Sequence, residues 1–276
     1  MSLDLHPARA DEARRIWPVA KRARLFGSVA EFDAFRTEGP WRLQVSDRGE
    51  CAVLERWREH LEIVAMRGAW CSAERMPAFV DRLMQVARDQ GMDTLLSPLV
   101  AEEVACVYEA AGMRLFEDIV VLRRVSGRRA ARRTPLPDGV RIRSAIPADL
   151  GPLYALDEMC FDEFWRYDAS RLARHFVEDR LMVAEESGEV IGYTLATVIG
   201  SSATLGRLAV VPDARGRGVG ACLLAEALEY LERTGAATVS LCTQRDNAVS
   251  RALYAAAGLR ELPGRLCFLV RDASDG

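Results

Sequence analysis

Apolar and polar residues between positions 140 and 271 follow two rhythms, one of period two and one near 3.6, and the switches between them mark elements. Val140–Ser144 alternates and predicts a strand. Pro147 and Asp149 open a helix running to about Cys160, with Asp149 an acid in its first turn. FDEFWRYD (161–168) interrupts the pattern as an aromatic-rich loop, and a helix follows over Ala169–Val177. Leu181–Glu185 and Val190–Val198 read as a hairpin about Ser187-Gly188. Ala203–Val211 is the next strand, Pro212 ends it, and a helix is expected from Gly218 to Arg233. Thr238–Leu241 as a short strand, Asn247–Ala257 as a helix and Leu266–Arg271 as a strand complete the run. Strands first and βαβ units later predict an α/β (α+β) fold, a mixed, mostly antiparallel twisted sheet with helices on both faces.

The rhythm occurs twice. GMDTLLSPLVAEEVACVYEAAGMRLFEDIVVLRR (91–124) and GAATVSLCTQRDNAVSRALYAAAGLRELPGRLCFLVR (235–271) share glycine, short apolar strand, helix closing in Tyr-x-x-x-Gly, and final strand. WRLQVSDRGECAVLERW (41–57) matches RLMVAEESGEVIGYTLA (180–196) in pattern and turn. Between the copies, SGRRAARRTPLPDG (126–139) is polar and carries Pro135, Pro137 and the turn pair Asp138-Gly139. The organisation expected is two tandem copies of one unit, 1–125 and 140–276, joined by a linker at 126–139.

Length agrees, since 276 residues suggest two domains at about 100–200 residues each. The net charge of −3 gives no global case for nucleic acid or a membrane surface. Arg128, Arg129, Arg132 and Arg133 tempt a nucleic-acid reading, but no aromatics interleave them and a solvated linker accounts for them better. No apolar run reaches the ~18–20 residues of a membrane helix, and MSLDLHPARADEARR lacks the apolar core of a secretory signal. Seven scattered cysteines and three distant histidines offer no metal spacing. Reduced thiols in a cytoplasmic protein are expected, most of them small core residues.

Candidate chemistry concentrates in VVPDARGRGVGACLLAE (210–226). Gly216, Gly218 and Gly220 alternate with charged or apolar residues, and Arg215 and Arg217 flank the first of them. Glycines there permit positive φ and let a ligand approach the backbone. The N–H groups and dipole of the following helix attract an anion, and two arginines suit phosphate or diphosphate. Val219, Cys222, Leu223, Ala227, Tyr230 and Leu231 give that helix its apolar face. A P-loop needs a following Gly-Lys-[Ser/Thr], and a dinucleotide turn needs G-x-G-x-x-G; neither is present.

LAVVPDARGRGVG (208–220) closely resembles the acyl-CoA-binding motif of the GNAT N-acetyltransferase superfamily, with Arg215, Gly218 and Gly220 in its defining positions. QRDNAVSRALYAAAGL (244–259) resembles that family's later Asn…Tyr…Gly segment. The resemblance covers 140–271 specifically and the first half in outline. It implies that acetyl-CoA is the co-substrate, with its diphosphate on residues 215–220, Val219 included. Backbone groups of Leu208, Ala209 and Val210 would meet the pantetheine and polarise the thioester carbonyl, and a substrate amine would attack directly. On a helix, Asn247, Arg251 and Tyr254 share one face, and Val249, Leu253 and Ala256 the other. Tyr254 is the candidate proton donor to the departing thiolate, and Asn247 a candidate cofactor contact. Asn247 also suits a helix N-cap, and Tyr108 at the equivalent place in the first copy admits a structural role for this tyrosine.

The acceptor side is sparsely marked. Asp162, Glu163, Trp165 and Tyr167 are candidate substrate contacts, the acids for a cationic amine and the aromatics as pocket walls; helix caps and core filling account for them equally. His175 reads as structural. Counting back from Gly91 places Cys71, Ser72, Glu74 and Met76 where the second copy has Arg215, Gly216, Gly218 and Gly220, and Ala101 replaces Asn247. The first copy therefore reads as a degenerate domain, an arrangement that resembles the mycothiol-synthase type of two-domain member. The expected function is N-acetyl transfer to a primary amine of a small molecule or peptide. A non-catalytic acyl-CoA-binding protein and a transferase of longer acyl groups stay open.

Overall fold

The computed structural model describes residues 3–58, 60–125 and 135–275; the four linker arginines, Arg128, Arg129, Arg132 and Arg133, lie outside them. In chain order the elements are β1 (His6–Pro7), α1 (Ala10–Arg22), α2 (Val29–Glu38), β2 (Leu43–Val45), β3 (Cys51–Arg56), β4 (Ile63–Trp70), α3 (Met76–Asp89), β5 (Thr94–Leu96), β6 (Val100–Ala101), α4 (Glu102–Glu109) and β7 (Arg114–Val125). Then come β8 (Val140–Ser144), α5 (Leu150–Cys160), α6 (Ala169–Glu178), β9 (Arg180–Glu186), β10 (Glu189–Ile199), β11 (Ser202–Val210), α7 (Val219–Arg233), β12 (Thr238–Gln244), α8 (Ala248–Ala256), β13 (Arg260–Glu261) and β14 (Leu266–Asp272).

Two compact units emerge, Met1–Asp118 with Gly264–Gly276, and Ile119–Pro263. The expected division at 126–139 is crossed by one strand from each side. In the first unit β1 to β4 pair antiparallel in sequence, β4 lies parallel to β5, and β14 closes beside β5. In the second, β8 to β11 pair antiparallel in sequence, β11 lies parallel to β12, and Ile119–Val125 of β7 closes beside β12.

Alternation along the strands builds the cores. In β3, Cys51 and Val53 pack with α1 and α2, while Ala52 and Leu54 pack with α3 and α4. In β11, Ala209 joins the cluster of α5 and α6, while Leu208 and Val210 pack toward α7. Both units thus carry helices on both faces of a mixed sheet, the α/β architecture expected. Ser187 (φ 52°) and Gly188 (φ 89°) both adopt left-handed backbone, as the tight β9–β10 turn requires. The cysteines are not the core set that their neighbours suggested. Cys51, Cys222 and Cys267 are buried, but Cys106 and Cys242 are exposed because each lies on the outward side of its element.

Candidate active site

The second unit holds a gap between two strands. β11 and β12 pair only over Ser202–Thr204 with Thr238–Ser240. Beyond Thr204, β11 stays with β10 to Gly192↔Val210, while β12 stays with β7 to Gln244↔Ile119. The departure begins at a β-bulge, where Leu195 pairs with Arg207 and Ala196 with Leu205, leaving Gly206 unmatched; such an insertion bends its strand. Val211 N–H donates to the Ile191 carbonyl at 3.0 Å, and the Arg207 carbonyl accepts from Thr194 Oγ1 at 2.9 Å. By the alternation of an extended strand, Ala209 turns its backbone groups toward β10, and Leu208 and Val210 turn theirs toward the gap. Gly192 lets β10 hold β11 close, since a Cβ there would stand 2.9 Å from the Ala209 carbonyl oxygen.

The gap leads into the glycine-arginine loop. Pro212–Ala214 form one 3-10 turn, Gly216 has φ 72°, and Gly218 caps α7 with φ 90°. L side chains disfavour both conformations, so these two positions require glycine. No side chain caps α7, leaving the N–H groups of its first turn, from Val219 onward, for an outside acceptor. Gly220 is less constrained: a Cβ would meet Val210 and Leu253 at 3.6 and 3.7 Å, ordinary contact distances. Both arginines are engaged. Arg215 Nε donates to the Val210 carbonyl at 2.9 Å, which ties the loop to the end of β11. Arg217 forks onto Glu186 at 2.9 and 2.5 Å and holds that carboxyl below its usual pKa range. Any diphosphate here meets backbone N–H groups and an exposed Arg215 first, and competes with Glu186 for Arg217.

Helix α8 lies alongside, as the Leu253–Gly220 approach shows. Its core side takes in both faces of the simple helical reading, with Leu253 packed beside Tyr254. Tyr254 is its buried residue, at 7% exposure, while Val249 is 83% exposed. The helix lies over the β11–β12 side of the sheet, and the bulky phenol fills that core beside Leu224, Leu228 and Leu241. Burial pushes the Tyr254 hydroxyl up to about 12 against a lowering by Ser250, so it stays protonated at neutral pH. Asn247 is the N-cap, its side-chain oxygen accepting from Ser250 N–H at 3.1 Å.

On the opposite face of the sheet, the loop 161–168 is anchored by residues that periodicity did not single out. Asp157 of α5, Tyr193 of β10 and Arg207 of β11 are all buried. Arg207 donates to Asp157 through Nε at 2.9 Å and Nη2 at 2.7 Å, and Tyr193 also donates to Asp157. The Arg207 guanidinium lies between the rings of Phe161 and Tyr167, at 3.6 and 3.9 Å from their centroids. Those two ring faces are therefore filled by an internal cation, and Tyr167, expected as a pocket wall, is a buried part of this stack. Asp162 accepts from Trp165 N–H at 3.2 Å, and Asp168 caps α6 through Arg171 N–H at 2.7 Å. The outward part of the loop is Asp162 and Glu163, both exposed, with half-buried Phe164 and Trp165 packed edge to face at 5.0 Å. His175 is paired through Nδ1 with Asp179 at 2.6 Å.

The first unit repeats the sheet without the loop. Its bulge leaves Arg67 unmatched between Val53↔Gly68 and Leu54↔Met66, and β4 pairs with β5 only over Ile63–Ala65. Five residues, Cys71–Arg75, then join β4 to α3, against eight, Val211–Gly218, between β11 and α7. None of Ser72, Glu74 and Met76 takes positive φ, and Arg75 pairs with Glu50. Tyr108 is buried like Tyr254 and is likewise pushed up to about 12 by burial.

Among the described residues no group of three or more His, Cys, Asp or Glu stands where a metal ion could be held, and no helix is long and apolar enough to cross a membrane. Residues 150–259 match the model of the Acetyltransferase (GNAT) family. The chain is 34% identical over 122 residues to the [ribosomal protein bS18]-alanine N-acetyltransferase of Escherichia coli K12, covering 44% of this chain and 80% of that protein. It is 38% identical over 101 residues to the uncharacterized N-acetyltransferase YhfO of Bacillus subtilis, covering 34% of this chain and 66% of YhfO. The match thus spans just under two thirds of YhfO's length. A tandem GNAT protein from the clavulanic acid biosynthesis pathway superposes with a TM-score of 0.69 over 99% of each chain at 17% identity, a likeness of fold. The family model and these relatives agree with the fold: the chain belongs to the GNAT acetyltransferase family.

Proposed function

We propose that the second unit transfers an acetyl group from acetyl-CoA to a primary amine by direct attack in a ternary complex. The observation that carries this reading is the unpaired edge of β11 running straight into the uncapped, glycine-opened start of α7. The diphosphate would rest on the N–H groups from Gly216 to Gly220 with Arg215 beside it, and Arg217 would leave Glu186 for it. The pantetheine would pair with the gap-facing backbone of Leu208 and Val210. The Val210 carbonyl already serves Arg215, so its N–H is the group aimed at the thioester oxygen, a role worth about 3–4 kcal/mol where such donors are removed. Ala209 contributes a small side chain rather than a backbone contact. Asn247 acts through the shape of α8, as its cap.

The amine nitrogen attacks the thioester carbon, the C–S bond breaks, and the sulfur takes a proton from Tyr254. Water takes the cationic amine's proton before attack, and the proton that nitrogen sheds afterwards returns through water to the Tyr254 oxygen, with Asp162 and Asp168 spent on caps and Asp157 on Arg207. The acceptor would approach over Trp165 and Phe164, with Asp162 and Glu163 drawing its positive charge. The relative named for the alanine of ribosomal protein bS18 makes a peptide amine one class to test. The test is product mass after incubating the chain and acetyl-CoA with an alanine-leading peptide, an amino sugar and a linear diamine. Acetylation of at least one amine, dependent on Gly218, is expected. Acetyl-CoA binding without acetylation of any of them would favour the non-catalytic reading.

A further inference from the structure

We propose that Arg207 and Asp157 are the positioning pair of the acceptor site, fixing the loop 161–168 to the strand that carries the acyl group. The inference rests on the acetyl-transfer reading for what the loop does, and on geometry alone for what the pair does. Arg207 stands one residue after the bulge and next to Leu208, on the strand whose gap-facing edge is assigned to the pantetheine. From there Arg207 Nη2 donates to the Trp165 carbonyl at 2.7 Å, and Asp157 Oδ1 accepts from Tyr167 N–H at 2.8 Å. Two backbone points of the loop, either side of Arg166, are thus bound to one buried ion pair. The rings of Phe161 and Tyr167 close on the guanidinium from both sides.

An ion pair this deep is a poor way to gain stability, because desolvating both charges offsets most of their attraction, and apolar residues of like volume often serve better. What it supplies is direction: the planar fork fixes where Trp165 can lie relative to β11. The first unit supports this division of labour. At the residue after its own bulge it has Gly68, and the Trp70 indole occupies the space, 2.5 Å from where a Cβ would stand. The same sheet therefore folds without the pair, in the copy that lacks the cradle. The pair accompanies the cradle and the aromatic loop.

The test uses the full chain and two variants. Arg207→Lys keeps the charge and loses the fork; Asp157→Leu with Arg207→Met replaces the pair by apolar bulk. Hydrogen exchange of the 163–168 amides should quicken about tenfold or more in both, while β9 and β10 amides and acetyl-CoA affinity stay within about twofold. With the amine found above, KM should rise about tenfold or more with kcat changed far less, since the loop orients the acceptor. The apolar pair, with Tyr193→Phe added to remove the hydroxyl that Asp157 accepts, should recover the melting temperature without recovering KM, a result that a merely structural role would not give. Loop exchange unchanged in both variants would overturn the proposal, as would wild-type KM in the apolar pair. Should no amine be acetylated, the exchange result still decides the pair's role, so failure of the reaction reading and failure of this proposal are separable.

Discussion

Gly218→Glu is expected to lower acetyl-CoA affinity at least about 100-fold, roughly 2.8 kcal/mol of binding free energy. Three effects add. Gly218 sits at φ 90°, where an L side chain costs about 1–2 kcal/mol. The new carboxylate would satisfy the first-turn N–H groups of α7 from within, taking the place of the diphosphate. Its charge would also stand beside Arg215 and Arg217 and cancel part of the field that draws an anion. The loop is exposed at Arg215, Gly216 and Arg217, so the fold should survive, as a melting curve would show. Gly218→Ala separates the terms, keeping the backbone strain without the charge, and should lose about tenfold. Calorimetric titration reads both. Affinity unchanged in Gly218→Glu would mean that the diphosphate lies elsewhere.

The second large effect is on turnover. Tyr254→Phe should lower kcat about 100-fold while acetyl-CoA affinity stays within about twofold, the pattern of a group used only as the C–S bond breaks. Burial pushes the hydroxyl up to about 12 and so makes it a weaker acid, and the role rests on its place on α8 beside the cradle. The departing thiolate can draw its proton there. Burial alone does not make a catalyst, and Tyr108 supplies the control. It is equally buried and equally shifted, but lies in the unit without a cradle. Tyr108→Phe should leave kcat unchanged. Steady-state rates with the accepted amine test the pair, and a Tyr254→Phe enzyme of wild-type kcat would leave this tyrosine a core residue like its counterpart.

What was legible in the sequence was what is local. The strand over Val140–Ser144, the Ser187-Gly188 turn, the stop at Pro212 and the start of α7 follow from neighbouring residues and appear within a residue or two of expectation. The glycines at 216 and 218 were legible for the same reason, since positive φ is a property of one residue. Helical spacing tells which residues share a side with Tyr254, not which side meets the sheet, so its burial was not legible. The acceptor loop was read as caps or pocket walls, and its caps were found. Its clamp was not, because Asp157, Tyr193 and Arg207 lie 36 and 50 residues apart for the bonds that join them, and no motif links them. A charged residue one step after a strand glycine, Gly206-Arg207, was the available signal, and it gains meaning only once the bulge is seen. The first copy's lost loop was read as substitution at Ser72 and Glu74; the structure adds that the connection is shorter, which counting from one glycine could not reveal.

The most direct test of the whole account is titration of the intact chain with acetyl-CoA, reading stoichiometry. One site per chain, abolished by Gly218→Glu, is the expected result, because the eight-residue connection and its positive-φ glycines occur in the second unit alone. Two sites would contradict the loss of the cradle in the first unit. No binding would remove the acyl-CoA reading of residues 208–220 altogether.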